Sequence, residues 1–226
     1  MRTVIVMDSL KLEASFLVDF EFFEQLILDF LSSGEVVDCA HDLDHVFRVV
    51  RSARELCGQE EAQLDVVLPA AYLHDCFGYP KNHPDRRNSS LVAADLAIDF
   101  LREIKYPLQF LEQIHHAICT HSYSADLKPE TKEAKIVQDA DRLDALGAIG
   151  IARCIQVGTL HQRPLYCRND PLCSQREPDD GSYTVDHFFV KLLKIADTMQ
   201  TEAAKVEAKK RKAFMIEFLD QLKREV

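Results

Sequence analysis

Val66, Val67, Leu68, Ala70, Ala71, Tyr72 and Leu73 make an apolar run that stops on His74-Asp75 and is cut off by Gly78-Tyr79-Pro80. A helix that is apolar on every side must be covered on every side, so this run sets a buried centre for the rest of the chain. An imidazole beside a carboxylate at the mouth of such a helix is costly to place without a use. Both are donor groups that a divalent cation takes. The dipeptide alone is weak evidence. Its weight comes from His41-Asp42-Leu43-Asp44-His45 upstream and Asp139-Ala140-Asp141-Arg142-Leu143-Asp144 downstream.

Only 7 glycines and 8 prolines in 226 residues leave few tight hairpins, and no long β-alternating segment stands out, so the predicted class is all-α. Residues 1–15 read as an N-terminal extension and 16–226 as one domain. Apolar spacing predicts a helix from Phe16 to Leu31 ended by Gly34, and a second from His41 to Cys57 with Gly58 as its stop. On the second, His41, His45 and Arg48 form one stripe, because positions i, i+4 and i+7 stack. The third helix ends at His74-Asp75. A proline-punctuated loop follows, and Ser89 or Ser90 is placed to cap a helix from Leu91 to Ile104. Further helices are predicted for Leu108 to Thr120, Thr131 to Gly147, Ala148 to Val157, Val185 to Met199 and Thr201 to Lys223. The small run Ala145-Leu146-Gly147-Ala148-Ile149-Gly150 suits close helix contact, and 159–183 reads as an irregular excursion, a lid or a partner contact.

A net charge of −10 disfavours bulk affinity for nucleic acid or an anionic membrane but leaves room for a local basic pocket. Seven scattered cysteines, an odd number without Cys-x-x-Cys, read as reduced thiols. No window approaches the apolar length of a membrane span. A cytoplasmic location is expected, with a small phosphorylated partner and neither a membrane nor a nucleic-acid polymer.

Two imidazoles and two carboxylates, from His45, His74-Asp75 and Asp141, suit a divalent transition metal that keeps open positions for water and substrate. With Ile136, Ala140, Leu143 and Gly147 defining the buried side of their helix, Asp144 falls on that side and Asp141 on its edge. Buried carboxylates need a cation or hydrogen-bond donors.

His45 within Asp44-His45-Val46-Phe47-Arg48-Val49, then His74-Asp75, then Asp141 within Asp139-Ala140-Asp141-Arg142-Leu143 resembles the H…HD…D pattern of the HD-domain phosphohydrolase superfamily. The wider run, including Lys81-Asn82-His83-Pro84 and Ile136-Val137-Gln138, is similar to its small stand-alone bacterial branch. The resemblance implies an all-helical fold, with His45, His74, Asp75 and Asp141 holding a divalent cation, Mn²⁺ or Mg²⁺ first and Fe, Co, Ni or Zn as other occupants. It further implies hydrolysis of phosphate esters or anhydrides, with nucleoside mono-, di- and triphosphates as substrates. Two alternatives stay open: a phosphodiesterase for cyclic or signalling nucleotides, and a non-catalytic sensor of metal and nucleotide.

Around these ligands Asp75, His116, His121 and Asp144 are the candidate catalytic residues. Arg48, Lys81, His83 and Arg87 are the candidate substrate contacts, placed where a phosphate chain would extend. Asp144 either orients the attacking water or accepts from a neighbouring helix end. His121 shares a face with Ile114 and Ile118 while His116 lies on the far side, so one straight helix does not aim both at one ion. Substrate contact or proton transfer is the reading for both, ahead of a second metal. His115 reads as a packing or surface group, Asp139 as a structural or surface carboxylate, His41 as a cap, a solvated group or a neighbour of the ligands, and Lys209 to Lys212 as a solvated face.

Overall fold

The computed structural model describes residues 20–33, 43–80, 83–123 and 125–226, and among them every regular element is helical. The chain is all-α, as its sequence predicts. In order come α1 (Phe20–Ser33), α2 (Leu43–Glu60), α3 (Leu64–Leu73), α4 (Ser89–Glu103), α5 (Leu108–His121), α6 (Lys132–Asp144) and α7 (Gly147–Leu160). After an irregular stretch follow a π-helical turn (Phe188–Leu192), α8 (Leu193–Ile195), a 3₁₀ turn (Ala196–Thr198) and α9 (Glu202–Glu225). Phe16, Leu17 and Gly34, assigned above to the first helix and its stop, lie outside the described residues. So does the expected extension, 1–15.

Helix α3 is the centre. Every residue from Asp65 to Leu73 is buried, and α1, α2, α4, α5 and α6 pack around it. That burial has a local complication in Pro69, which lies inside the helix. Proline has no N–H to return to the carbonyl four residues back, here Asp65. The hydroxyl of Tyr106, itself 1% exposed, donates to that carbonyl at 2.7 Å. A side chain from the α4–α5 connection therefore replaces the missing backbone bond, and the central helix stays straight enough to deliver His74 at its C-terminal end.

Several boundaries differ from the sequence reading for identifiable reasons. Gly58 does not stop α2, which runs to Glu60. The chain turns at Glu61, with φ 52°, and the turn is held by the Ala62 N–H on the Cys57 carbonyl and by the Cys57 thiol on the Ala62 carbonyl. A side chain at position 58 would meet open space, so glycine is not needed there. The turn between α6 and α7 does need glycine. Gly147 has φ +69°, and a Cβ at Gly150 would sit 2.2 Å from the Ala145 carbonyl oxygen. This bend of 63° swings α7 back over the end of α6. The predicted helix 185–199 is broken into π, α and 3₁₀ turns, and α9 begins at a Thr201 cap whose hydroxyl accepts from the Ala204 N–H at 3.3 Å.

The irregular stretch before the π-turn is tied down from inside. The fully buried Asp186 accepts two bonds from the Arg176 guanidinium and one from the Asp179 N–H at 2.6 Å. Asp139, also fully buried, accepts from the N–H groups of Gln200 and Thr201 and from the Thr201 hydroxyl. It anchors the entry to α9, so of the structural and surface readings it is the structural one that the geometry displays. The six cysteines within the described residues are all free thiols. Among the described residues no single helix is long and apolar enough to cross a membrane.

Tyr106→Phe removes the donor for the Asp65 carbonyl and should lower unfolding stability by about 1–2 kcal/mol, read from urea titrations. In a Pro69→Ala background, where position 69 regains an N–H for that carbonyl, the same change should cost clearly less. Equal losses in both backgrounds would show that the hydroxyl does not substitute for the proline's missing donor.

Candidate metal centre

Three helix ends and one helix face meet at a single point. α2 contributes His45, the C-terminal end of α3 contributes His74 and Asp75, and α6 contributes Asp141. His45 Nε2 lies 3.3 Å from His74 Nε2, 3.8 Å from Asp75 Oδ2 and 3.6 Å from Asp141 Oδ1. His74 Nε2 is 3.5 Å from Asp75 Oδ2. The end of α5 adds His121, whose Nε2 stands 3.3 Å from the other Asp75 oxygen. Donors sharing one cation at about 2.1 Å stand roughly 3–3.5 Å from one another, so the spacing is that of a coordination shell. Two overlapping sets have the reach: His45, His74 and Asp141, and His74, Asp75 and His121.

The protons point the same way. His74 Nδ1 faces the Ala71 carbonyl at 2.8 Å and His121 Nδ1 faces the Ile118 carbonyl at 2.7 Å. A carbonyl oxygen only accepts, so each Nδ1 carries the hydrogen and each neutral ring turns an Nε2 lone pair toward the centre. His45 Nδ1 faces Asp144 Oδ2 at 2.7 Å, which aims its Nε2 lone pair there as well. Three lone pairs and two carboxylates thus converge with no donor among them in the neutral state. Burial lowers the His74 pKa to about 4 despite the nearby carboxylates, so that ring is neutral at pH 7. For His121 burial also opposes charge, but the hydrogen bond and charge of Asp75 outweigh it and raise the pKa. The donor set fits a divalent cation.

Asp144 supports the centre from behind. Its carboxylate takes His45 Nδ1, Arg48 Nε at 2.7 Å, Arg48 Nη2 at 3.1 Å and Arg153 Nη1 at 2.6 Å. Burial alone would raise its pKa, yet the imidazole and the two guanidinium groups hold it well below the usual carboxylate range. Of the two roles considered for Asp144, the geometry displays acceptor bonding, directed to the ring of His45. Arg48, a candidate phosphate contact, spends Nε and Nη2 on this carboxylate.

The other candidates are placed as follows. His116 accepts the Glu130 N–H on Nε2 at 3.0 Å, away from the converging atoms, while His121 from the same helix is among them. That split follows the helical wheel. His115 pairs with Asp95 at 2.9 Å. The His83 ring stacks on Tyr79 with centroids 4.3 Å apart and accepts the Asp85 N–H, and Arg87 is exposed on a 3₁₀ turn. Lys81 and His41 lie outside the described residues. Sequence reasoning missed Arg153, although it is the one charged residue in the apolar sequence of α7. It also missed Lys191, although it is the one charged residue in the apolar sequence of the π-turn Phe188–Leu192.

An all-helical bundle that gathers a histidine, a His-Asp pair and a later aspartate defines a class. The HD domain family model matches residues 42–146, a span that holds all of these groups. The chain belongs to the HD-domain superfamily, in its group of small bacterial YpgQ-like proteins. The uncharacterized protein YpgQ of Bacillus subtilis is 32% identical over 206 residues, 89% of each chain. The crystal structure of YpgQ in complex with ADP is 30% identical, with a TM-score of 0.69 over 92% of this chain and 96% of that one. An HD-superfamily hydrolase from Bacillus thuringiensis is 32% identical, with a TM-score of 0.70 over 92% of this chain and 98% of its own.

Asp144→Asn leaves His45, Arg48 and Arg153 with a weak acceptor, and should cost about 2–4 kcal/mol at pH 7. Because the folded pKa of Asp144 is depressed, its contribution is full above the unfolded carboxylate value near pH 4 and is lost as pH falls through the lower folded value. The stability gap between wild type and Asp144→Asn should therefore be constant from pH 7 to 5 and narrow below pH 4 in urea titrations. A gap independent of pH down to 2 would contradict the charge assignment.

Proposed function

We propose that the chain is a divalent-metal-dependent phosphohydrolase acting on nucleoside phosphates, including di- and triphosphates. The observation that carries this reading is the convergence of three imidazole Nε2 atoms and two carboxylates on one small volume. His45, His74, Asp75 and Asp141 are the ligands, with His121 as a further nitrogen beside the second oxygen of Asp75. A set of nitrogens and carboxylate oxygens without thiolate favours Mn²⁺ or a related transition ion over Mg²⁺. When bound, such a cation supplies Lewis-acid polarisation of a phosphoryl oxygen and makes water nucleophilic at neutral pH.

The chain's own residues hold and aim this chemistry. Asp144 fixes the tautomer and the orientation of His45, and the Ala71 carbonyl does the same for His74. Asp75 carries one oxygen on the His45–His74 side and one on the His121 side, so a single carboxylate joins both donor sets. Its side chain is 22% exposed and that of Asp141 24%, which leaves the open face of the centre toward solvent and substrate. Positive charge near Asp141, which Lys191 supplies, favours an anionic substrate within an acidic chain. The structure of B. subtilis YpgQ in complex with ADP supports a nucleotide as that anion.

The test is protein stripped by chelation, reloaded with Mn²⁺ and assayed against nucleoside mono-, di- and triphosphates and an aryl phosphate. Phosphate or pyrophosphate release is expected, abolished by chelation and lowered by at least about a hundredfold in Asp75→Ala. Release that survives both would overturn the assignment. Tight binding of Mn²⁺ and nucleotide without turnover would replace the enzyme by a sensor.

A further inference from the structure

Lys191 does more for an anion near the centre than add general positive charge. It sits on the π-helical turn Phe188–Leu192, a rare geometry that recurs at functional sites because it re-aims side chains. Its Nζ lies 5.0 Å above the ring of Tyr123, two residues beyond His121. The same ring takes the guanidinium of Arg142, next to Asp141, at 5.6 Å. Tyr123 thus seats Lys191 against the ends of both α5 and α6, on the rim of the metal centre.

The charges around it do not balance in the protein alone. Lys191 is partly buried, and among the described residues no carboxylate is in ion-pair contact with it. Burial disfavours its charge. Asp141 is the strongest group favouring it and Asp180 favours it more weakly, while Arg153 and Arg86 oppose it. Asp141 is also a candidate ligand. Once its charge is shared with a cation, less remains to offset the Lys191 ammonium, while Arg153 is already held on Asp144. An anion carrying several charges would resolve this arrangement, and a phosphate chain extending from the metal centre has that form.

We propose that Lys191 receives the outer phosphates of the substrate, so that this rim reads the length of the phosphate chain. The proposal rests on the phosphohydrolase reading and adds a specificity determinant to it. A single phosphate satisfies the metal centre alone. A second or third one reaches the ammonium.

The experiment uses the Mn²⁺-loaded protein and its Lys191→Met and Lys191→Arg variants. Calorimetry measures binding of Mn²⁺, inorganic phosphate and pyrophosphate, and KM and kcat are measured for a nucleoside triphosphate and an aryl monophosphate. In Lys191→Met, pyrophosphate affinity should fall at least about tenfold while phosphate and Mn²⁺ affinities stay within about twofold, since one charge-assisted hydrogen bond is removed. KM for the triphosphate should rise with little change for the aryl ester, and Lys191→Arg should recover most of the loss. Unchanged pyrophosphate affinity overturns the proposal, as does an equal loss for phosphate and pyrophosphate. A fall in Mn²⁺ affinity, or a loss that arginine does not recover, assigns Lys191 a structural role on Tyr123 and overturns it too. Wild-type turnover with an unaffected Lys191→Met removes only this pocket. Wild-type protein that neither binds pyrophosphate nor turns over any nucleotide removes the phosphohydrolase reading with it.

Discussion

Lone pairs that face one another across a few ångströms repel, and the centre of this molecule is built on that repulsion. His45, His74 and His121 each commit Nδ1 to an oxygen acceptor and turn Nε2 toward the same small volume, where Asp75 and Asp141 already bring negative charge. A fold gains nothing from such an arrangement alone. It is tolerated because the helices that carry these groups pack around the buried α3, and because a cation would turn the repulsion among the unprotonated donors into attraction. The rest of the structure serves that placement. The Tyr106 hydroxyl keeps α3 intact past Pro69, the bend at Gly147 brings Arg153 back over Asp144, and Asp144 in turn holds His45.

The groups whose chemistry is specific were visible in the sequence. A histidine, a His-Asp pair and an aspartate on separate helical segments are few enough, and costly enough to bury, that their spacing carries information. The helical wheel likewise separated His121 from His116, because the angle between two positions on one helix is set by the backbone. The supporting residues were much less legible. Arg48 looked like a phosphate contact because it lies one turn from His45, but the same proximity brings its guanidinium onto Asp144. That outcome depends on how α6 packs beside α2, which local sequence does not state. Lys191 owes its position to a π-turn, and a one-residue change in helical pitch leaves no mark on apolar periodicity. Gly58 shows the converse: a glycine near a helix end reads as a stop, yet here the turn is made at Glu61 by backbone and thiol bonds.

These distinctions divide the site into three layers with different physical tasks. The converging imidazoles and carboxylates hold charge of one sign, and Asp144 with its two arginines fixes their geometry through a low-pKa carboxylate that stays ionised. Beyond them the basic rim around Lys191 opposes them in sign. Under the proposed function, an acidic centre with the Lys191 ammonium beside it meets each component of a metal–phosphate pair with its complement. The irregular stretch before the π-turn belongs to this ordering as well. Its buried Asp186–Arg176 bond fixes the chain that leads directly into the turn carrying Lys191.

The most direct measurement is the anomalous scattering of a crystal of this protein grown or soaked with Mn²⁺. One strong peak is expected within coordination distance of His45 Nε2, His74 Nε2, Asp75 and Asp141. A crystal saturated with Mn²⁺ that keeps these four side chains in the arrangement described, yet shows no peak among them, would contradict the account.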